Sequence, residues 1–255
     1  MSGAIGGLGG FANDDNLLVV TLDIAPVNDA PNFTALDPPP VNEDPGGVTV
    51  TGWSNFDPGP GESGQIALLY QVENISNPGL FSVLPTIGTL GNLVYDTKQD
   101  VSGVSTFDVR VVDNGGIADG GVDVSGFQTF TVTVNPVNDP PVFAADDPPP
   151  VIADDGPQTV SQWASFDAGA ADESDQQVTL SVTNIANPVL FAVPPSIDAN
   201  GNLTYTPAPG TAGSSIFTVV ASDDGGTANG GSDTSLAQEF VINVRSELLF
   251  ANGFE

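Results

Sequence analysis

The chain has 255 residues, of which 32 are acidic and three are basic, so its formal net charge is −29. A surface this negative repels nucleic acid and anionic membranes, and we exclude both as partners. The sequence contains no His and no Cys, which excludes disulfides, a thiolate nucleophile, a Ser-His-Asp triad and an ordinary zinc site built from His or Cys.

The first 29 residues precede the first complete repeat. They show neither the basic start nor the long apolar run of a signal peptide, and no stretch of about 18 apolar residues occurs in the chain. Within Leu17–Ile24, apolar Val20, Leu22 and Ile24 alternate as in the last strand of a complete repeat. We therefore expect residues 1–29 to be the final strand and linker of a truncated upstream repeat, and the chain to be a fragment of a larger secreted protein.

Two copies of a unit of 110 residues follow. The segment from Pro26 to Phe33 returns from Pro136 to Phe143, and 136 − 26 = 110. The same offset joins other landmarks without a gap: Trp53 and Trp163, Tyr95 and Tyr205, Gly115 and Gly225, Phe130 and Phe240. This periodicity predicts tandem modules at 30–137 and 138–245, followed by a C-terminal tail at 246–255.

Alternating apolar and polar residues predict half-buried strands throughout each unit. Phe130, Val132 and Val134, for example, alternate with threonines. Strands are predicted near 38–45, 48–56, 65–74, 104–112 and 127–135, with two short ones between 80 and 96, and the second unit repeats them at +110. Several short strands per unit indicate an all-β fold of two Ig-like Greek-key β-sandwiches in an elongated arrangement. Trp53 and Trp163, placed in the second strand, favour core packing over sugar stacking.

Acidic loops are predicted to meet the linkers at one end of each sandwich, because alternating strands bring the second-to-third and sixth-to-seventh strand loops together there. Crowded carboxylates repel one another, and a hard cation with six to eight oxygen ligands relieves that repulsion. We therefore predict Ca²⁺ at the junctions, against the alternative that these loops are ordinary turns. The central junction has Asn138, Asp139, Asp167, Asp172, Glu173, Asp223 and Asp233; the first junction, a weaker prediction, has Asn28, Asp29, Asp57, Glu62, Asp113 and Asp123.

The motif Pro-Val-Asn-Asp-x-Pro-x-Phe at the start of both units resembles the calcium linker of cadherins and bacterial cadherin-like repeats. The run from Asn202 to Pro209, followed by Asp223-Asp224-Gly225-Gly226, is similar to tandem Ig-like repeats of large bacterial surface proteins. The resemblance implies that an early Glu, here Glu43, ligates calcium at the lower end of the first module. The second module has Ala153 at that position, so no such site is expected beyond it.

These features favour a non-catalytic extracellular structural or adhesion repeat, a calcium-stiffened spacer or stalk at a bacterial cell surface. Other repeats of the same polypeptide or a cell-surface ligand are the expected partners, and the chain is expected to be monomeric. An alternative is a filament subunit whose segment Leu17–Ile24 adds to a neighbour's sheet edge. A glycosidase with paired carboxylates is disfavoured, because the aromatic residues occupy repeated core positions rather than a cleft.

Overall fold

The structure, a computed structural model, describes residues 21–22 and 25–246. Eighteen strands and five short 3-10 turns form the regular structure of these residues, and α-helix is absent from them. The predicted all-β fold is therefore confirmed. Within the same residues, no helix has the length and apolar character needed to cross a membrane. The predicted strand at Leu17–Ile24 lies largely outside the described residues, as does the tail from residue 247 onward.

The first module contains nine strands. They are β1 (Asn32–Thr34), β2 (Val41–Asn42), β3 (Gly47–Val50), β4 (Asn55–Asp57), β5 (Ala67–Glu73), β6 (Phe81–Ile87), β7 (Leu93–Thr97), β8 (Gly103–Asp113) and β9 (Gln128–Asn135). One sheet has the order β2-β9-β8-β5, in which β2 runs parallel to β9 and the other neighbours are antiparallel. A second sheet, β3-β7-β6, and the pair β1-β4 complete a Greek-key sandwich.

The second module repeats this arrangement with nine further strands. They are β10 (Val142–Ala145), β11 (Val151–Ile152), β12 (Gln158–Val160), β13 (Ala164–Asp167), β14 (Thr179–Ile185), β15 (Phe191–Ile197), β16 (Leu203–Pro207), β17 (Gly213–Ser222) and β18 (Gln238–Arg245). The sheet orders are β11-β18-β17-β14 and β12-β16-β15, with the pair β10-β13. The strand orders of the two modules therefore match one for one.

Each module has its own hydrophobic core, formed by the inward residues of the alternating strands. In β8, Phe107, Val109 and Val111 are fully buried, whereas Asp108 and Arg110 between them are at least partly accessible to solvent. Burying an aliphatic or aromatic side chain of this size contributes roughly 1.5–3 kcal/mol. The period of two in the sequence is therefore the direct cause of the sandwich.

The two tryptophans pack in the cores, as predicted, but they lie between strands rather than within them. Trp53 is between β3 and β4, and its Nε1 donates a hydrogen bond of 2.7 Å to the carbonyl of Leu36. Its ring meets that of Phe130 edge-on, with the ring centroids 4.7 Å apart. Trp163 is held in the same way, by a 2.7 Å bond to the carbonyl of Asp146. Each indole therefore fixes the start of its module to the core.

The first two predicted strands of each module differ from those observed. Only β2 lies within the predicted strand at 38–45, because Pro38, Pro39 and Pro40 have no N–H to donate to a sheet. The predicted strand at 48–56 is divided into β3 and β4, since Gly52 adopts a left-handed conformation with φ +61°. The strand β1 was not predicted; it pairs with β4. The corresponding β10 of the second module, also not predicted, pairs with β13.

The offset of 110 residues holds at the landmarks but not continuously. Glu62 accepts the amide of Asp29, and its structural counterpart Glu173, which accepts the amide of Asp139, lies 111 residues later. The second module has one extra residue in this loop, which forms the 3-10 turn Ala171–Glu173. A β-bulge between Ala67 and Leu69 gives the first module one extra residue in return. Because the two changes cancel, the register is restored at Leu69 and Thr179.

Candidate metal centre at the module junction

The linker before the second module is held to that module by the side chain of Asn138, which is only 9% exposed. Its Nδ2 donates to Asp223 Oδ1 at 3.0 Å and to the carbonyl of Ser232 at 2.7 Å. Its Oδ1 accepts a hydrogen bond of 2.7 Å from Gln176 Nε2. The next residue, Asp139, donates its amide to Glu173 Oε1 at 2.9 Å. These bonds fix the linker on the two loops that sequence analysis places beside it.

A glycine in the second of these loops makes the close approach of Asn138 possible. A Cβ atom on Gly225 would lie 1.6 Å from Asn138 Oδ1, which no side chain can tolerate. In the first module, a Cβ atom on Gly115 would lie 1.8 Å from Asn28 Oδ1. The Gly-Gly pair found in both units therefore leaves space for the linker amide.

The same arrangement holds the linker at the first junction. Asn28 Nδ2 donates to Asp113 Oδ1 at 3.2 Å and to the carbonyl of Val122 at 2.7 Å, and Gln65 Nε2 donates to Asn28 Oδ1 at 2.7 Å. Asp29 donates its amide to Glu62 Oε1 at 3.0 Å. The anchoring of each linker on its downstream module by these hydrogen bonds is thus a repeated feature.

The lower end of the first module meets the central linker from the other side. Glu43 is only 8% exposed, and one of its carboxylate oxygens accepts the amide of Val137. Its other oxygen, Oε2, is buried without a hydrogen-bond partner. The amide of Glu43 donates to the carbonyl of Asn135 at 3.0 Å. A buried carboxylate oxygen without a donor is costly unless a proton or a cation satisfies it.

Three further carboxylates meet beside Glu43. One oxygen from each of Asp44, Asp100 and Asp139 lies within 4.8 Å of the others. Asp44 and Asp100 come from the first module and Asp139 from the linker, so the cluster spans the junction. The turn that presents Asp44, whose φ is +59°, is fixed by a 3.1 Å hydrogen bond from the amide of Asp100 to Asp44 Oδ1. Across the described residues the one salt bridge is that between Arg110 and Glu73, so no basic side chain forms an ion pair with these carboxylates.

Burial and neighbouring charges disfavour the ionised forms of two junction carboxylates, Glu43 and Asp139. Burial raises the pKa of Glu43 above its ordinary value of 4.5, the Val137 hydrogen bond opposes this, and the charges of Asp172, Asp44 and Asp139 raise it further. Burial also raises the pKa of Asp139 above 3.8, and nearby Asp100, Asp44 and Asp172 add to that rise. Asp172, which lines the same cavity as Glu43, thus adds a negative charge from the second module to this region.

The modules also contact each other directly. Asn42 Nδ2 donates to the carbonyl of Asn229 at 3.0 Å, and Asn229 Nδ2 donates to the carbonyl of Pro136 at 2.9 Å. Asn229 is therefore bonded to the first module and to the linker together. A cavity of about 290 Å³ lies beside it, lined by residues of both modules that include Glu43, Asp172 and Glu173.

Other residues predicted from sequence hold the loops around the junctions through local hydrogen bonds. Asp167 uses Oδ1 to accept the amide of Gly169, and its first-module counterpart Asp57 does the same with Gly59. The side chain of Asp233 accepts a hydrogen bond from Thr234, and its backbone carbonyl accepts the amide of Asp223. The backbone carbonyl of Asp123 likewise accepts the amide of Asp113.

Two members of the cluster, Asp44 and Asp100, were missed by sequence analysis. A signal for Asp100 exists in the repeat itself, because Gly210 occupies its position in the second module, just as Ala153 occupies that of Glu43. Both carboxylates are therefore absent from the equivalent end of the second module. Asp44 gives no such signal, since Asp154 replaces it and accepts the amide of Gly210 at 3.1 Å.

The donor set fits a hard cation. All the candidate groups are carboxylate or amide oxygens, which Ca²⁺ prefers, and the nitrogen and sulfur ligands of zinc sites are missing from the whole sequence. Besides Glu43 Oε2, the buried oxygens without a hydrogen-bond partner include Asp223 Oδ2 and Gln176 Oε1 at the central junction. At the first junction, the buried oxygens without a hydrogen-bond partner are Asp113 Oδ2, Glu62 Oε2 and Gln65 Oε1.

Comparison with known proteins agrees with this fold. Residues 138–235 match the family described as bacterial Ig domain. Human protocadherin-24 EC1-2 has a similar structure, with a TM-score of 0.53 and 18% identity, over 85% of this chain and 99% of that one. Mouse cadherin-23 EC22-24 matches with a TM-score of 0.48 and 16% identity, over 85% of this chain and 67% of the other. A search of curated proteins gives no match.

The resemblance to tandem bacterial cadherin-like and Ig-like repeats is thus confirmed. The family match covers the second module, and the structural likeness to protocadherin-24 shows the fold of two consecutive sandwiches.

Proposed function

We propose that the chain is a non-catalytic extracellular spacer or adhesive stalk whose central joint is stiffened by calcium. The observation that carries the proposal is the meeting of Asp44 and Asp100 from one module with Asp139 from the linker. Glu43 and Asp172 would complete the set of ligands from both sides. A bound divalent cation would bring positive charge to the point where these carboxylates repel one another, and it would coordinate six to eight of the oxygen atoms around it.

In this proposal the residues 30–137 and 138–245 are independently folding repeats, and the joint between them determines the mechanics. Each repeat has its own core and its own anchored linker, so loss of the cation would leave both folded. The acidic surface and the lack of cysteine suit an export-competent bacterial surface protein that uses bound metal in place of disulfides for rigidity. Affinity would be weak, about 0.1–1 mM, as in other extracellular calcium modules.

Small-angle X-ray scattering with calcium and with a chelator tests the proposal. In chelator the joint should bend more freely, so the maximum dimension of the molecule should decrease. The melting transitions of the two sandwiches should persist. A double variant, Glu43→Ala with Asp100→Gly, carries the residues that the second module has at these positions. It should therefore fold normally, and its scattering should not respond to calcium.

The control is Asp154→Asn, which removes one charge at the lower end of the second module. This variant should respond to calcium like the wild type. If scattering from the wild type is the same in calcium and in chelator, or if the double variant responds as the wild type does, calcium does not stiffen this joint.

A further inference from the structure

The outer face of the first module carries an apolar surface that the second module lacks. We call it the β5–β8 patch; it consists of Ile66, Leu68, Leu69, Val112, Val124 and Phe127. Leu68, Leu69 and Phe127 are 53%, 48% and 44% exposed, respectively. Leu69 pairs across the strands with Val112, and Val112 forms a bridge with Val124. The patch is therefore a continuous row across the sheet rather than scattered residues.

The second module has small or polar residues at the equivalent positions. Thr179 pairs with Ser222, and Ser222 forms a bridge with Thr234, in place of the row from Leu69 to Val124. Ala237 replaces Phe127, Gln177 replaces Ile66, and the bulged Leu68 has no counterpart. Because the second module folds with these small or polar residues, the apolar ones are not needed to form the sandwich. Contiguous exposed apolar residues of this kind mark interaction surfaces.

One of the three basic residues of the chain lies within this surface. The guanidinium carbon of Arg110 is 4.6 Å from the centroid of the Phe127 ring, which it supports from one side. Arg110 Nε donates to Gln71 Oε1 at 2.5 Å, and Nη2 lies 3.6 Å from Glu73 Oε1. Asp108, the next outward residue of β8, is bonded by Asn74 and Thr129. The edge of the patch thus contains both a cation and an anion, within a chain that is otherwise strongly acidic.

We propose that the β5–β8 patch is an interface between two copies of this chain, in which the two outer sheet faces pack against each other about a two-fold axis. A two-fold contact requires a self-complementary surface. The Arg110–Glu73 pair meets this requirement, because the Arg110 of each copy can face the Glu73 of the other. The flat apolar row supplies the buried centre, and the partly exposed pair supplies a polar rim.

Sedimentation velocity over a range from about 1 µM to 1 mM tests this proposal. The full chain should change from monomer to dimer as concentration rises, and more readily at high salt, because salt screens the repulsion between two acidic chains. The triple variant Leu69→Thr, Val112→Ser and Phe127→Ala carries the residues of the second module and should keep its circular dichroism. Its association should be weaker on the order of a hundredfold, since central apolar contacts dominate interface energies.

The matched control is Leu236→Ser, which removes a 90% exposed apolar side chain of the second module. This variant should dimerise like the wild type. Three results would overturn the proposal: a wild-type chain that stays monomeric throughout the range, a triple variant that associates as strongly as the wild type, or a Leu236→Ser variant that has lost association. The first result would mean that the patch binds a different protein, and the last would place the contact between copies on the second module.

Discussion

The pair Asp44 and Asp154 offers a direct test of the junction, because the two residues are equivalent in the repeat but differ in their surroundings. Each accepts a backbone amide at 3.1 Å, from Asp100 and from Gly210, respectively. Only Asp44 lies within 4.8 Å of two other carboxylates. Substitution by Asn keeps the accepting oxygen in both turns and removes the charge, so the variants Asp44→Asn and Asp154→Asn separate the electrostatic effect from the local one.

Without calcium, Asp44→Asn should stabilise the junction. Two like charges about 4 Å apart repel by about 1 kcal/mol in water, and the substitution removes two such pairs, so the expected gain is up to about 2 kcal/mol. With about 10 mM calcium, a dissociation constant of about 0.1–1 mM stabilises the wild type by about 1.4–2.7 kcal/mol. A tenfold weaker site in the variant would retain about 0.4–1.4 kcal/mol. The advantage of the variant in chelator should therefore shrink or reverse in calcium.

Urea unfolding followed by tryptophan fluorescence measures both effects, since each module contains one buried tryptophan, Trp53 or Trp163. Isothermal titration with calcium gives the affinity independently. Asp154→Asn should match the wild type in chelator and in calcium alike. If the two variants behave identically, the three carboxylates do not act as a cluster and the reasoning fails.

Three other predictions concern the same region. In chelator, the free energy of unfolding should rise as pH falls toward the ordinary carboxyl pKa values of 4.5 and 3.8, because Glu43 and Asp139 have raised pKa values and bind protons more readily in the folded chain. Calcium should reverse this trend. Thermal melts at a series of pH values, with and without calcium, measure both effects. Asn138→Ala should lower the free energy of unfolding of the second module by about 2–4 kcal/mol in urea titrations, since buried partners lose their hydrogen bonds. Gly225→Ala should have a similar effect, and Gly126→Ala, whose Cβ atom would meet nothing within 4 Å, should be close to neutral in the same titrations.

The sequence predicted the long strands well, because their physical cause is local. The alternation in β8 and β9 places one set of side chains in the core whatever the rest of the chain does. The short strands β1 and β10 were missed, since three or four residues give too little alternation and their pairing with β4 and β13 is a tertiary property. The division between β3 and β4 depends on one left-handed glycine, Gly52, which alternation does not reveal.

Residues of the candidate site could be predicted only where strand direction or a difference between the two repeats indicates them. The meeting of Asn138 with the two loops follows from strand direction, and Glu43 is indicated by its replacement with Ala153. Asp100 could have been found by the same comparison, through Gly210. Asp44 could not, because Asp154 conserves the charge and only the packing of the junction shows that one of the two meets other carboxylates.

The two halves of the central linker are held by different kinds of contact, and this leads to a residue-level prediction. Asn138 and Asp139 are bound to the second module by hydrogen bonds that Asn28 and Asp29 repeat on the first module. Between the first module and the linker, the Glu43 carboxylate accepts the amide of Val137. This contact lies beside the cluster of three mutually repelling carboxylates described above. Flexibility without calcium should therefore lie between Asn135 and Asn138, rather than between the linker and the second module.

Amide hydrogen exchange can locate this hinge, since two neighbouring amides donate to carboxylates on opposite sides. The amide of Val137 donates to Glu43 of the first module, and the amide of Asp139 donates to Glu173 of the second. In chelator, Val137 should exchange at least tenfold faster than in calcium, whereas Asp139 should keep its protection, because local opening breaks only the weaker side. Equal acceleration at both amides would show that the linker detaches from both modules at once, and the hinge would then be the whole linker.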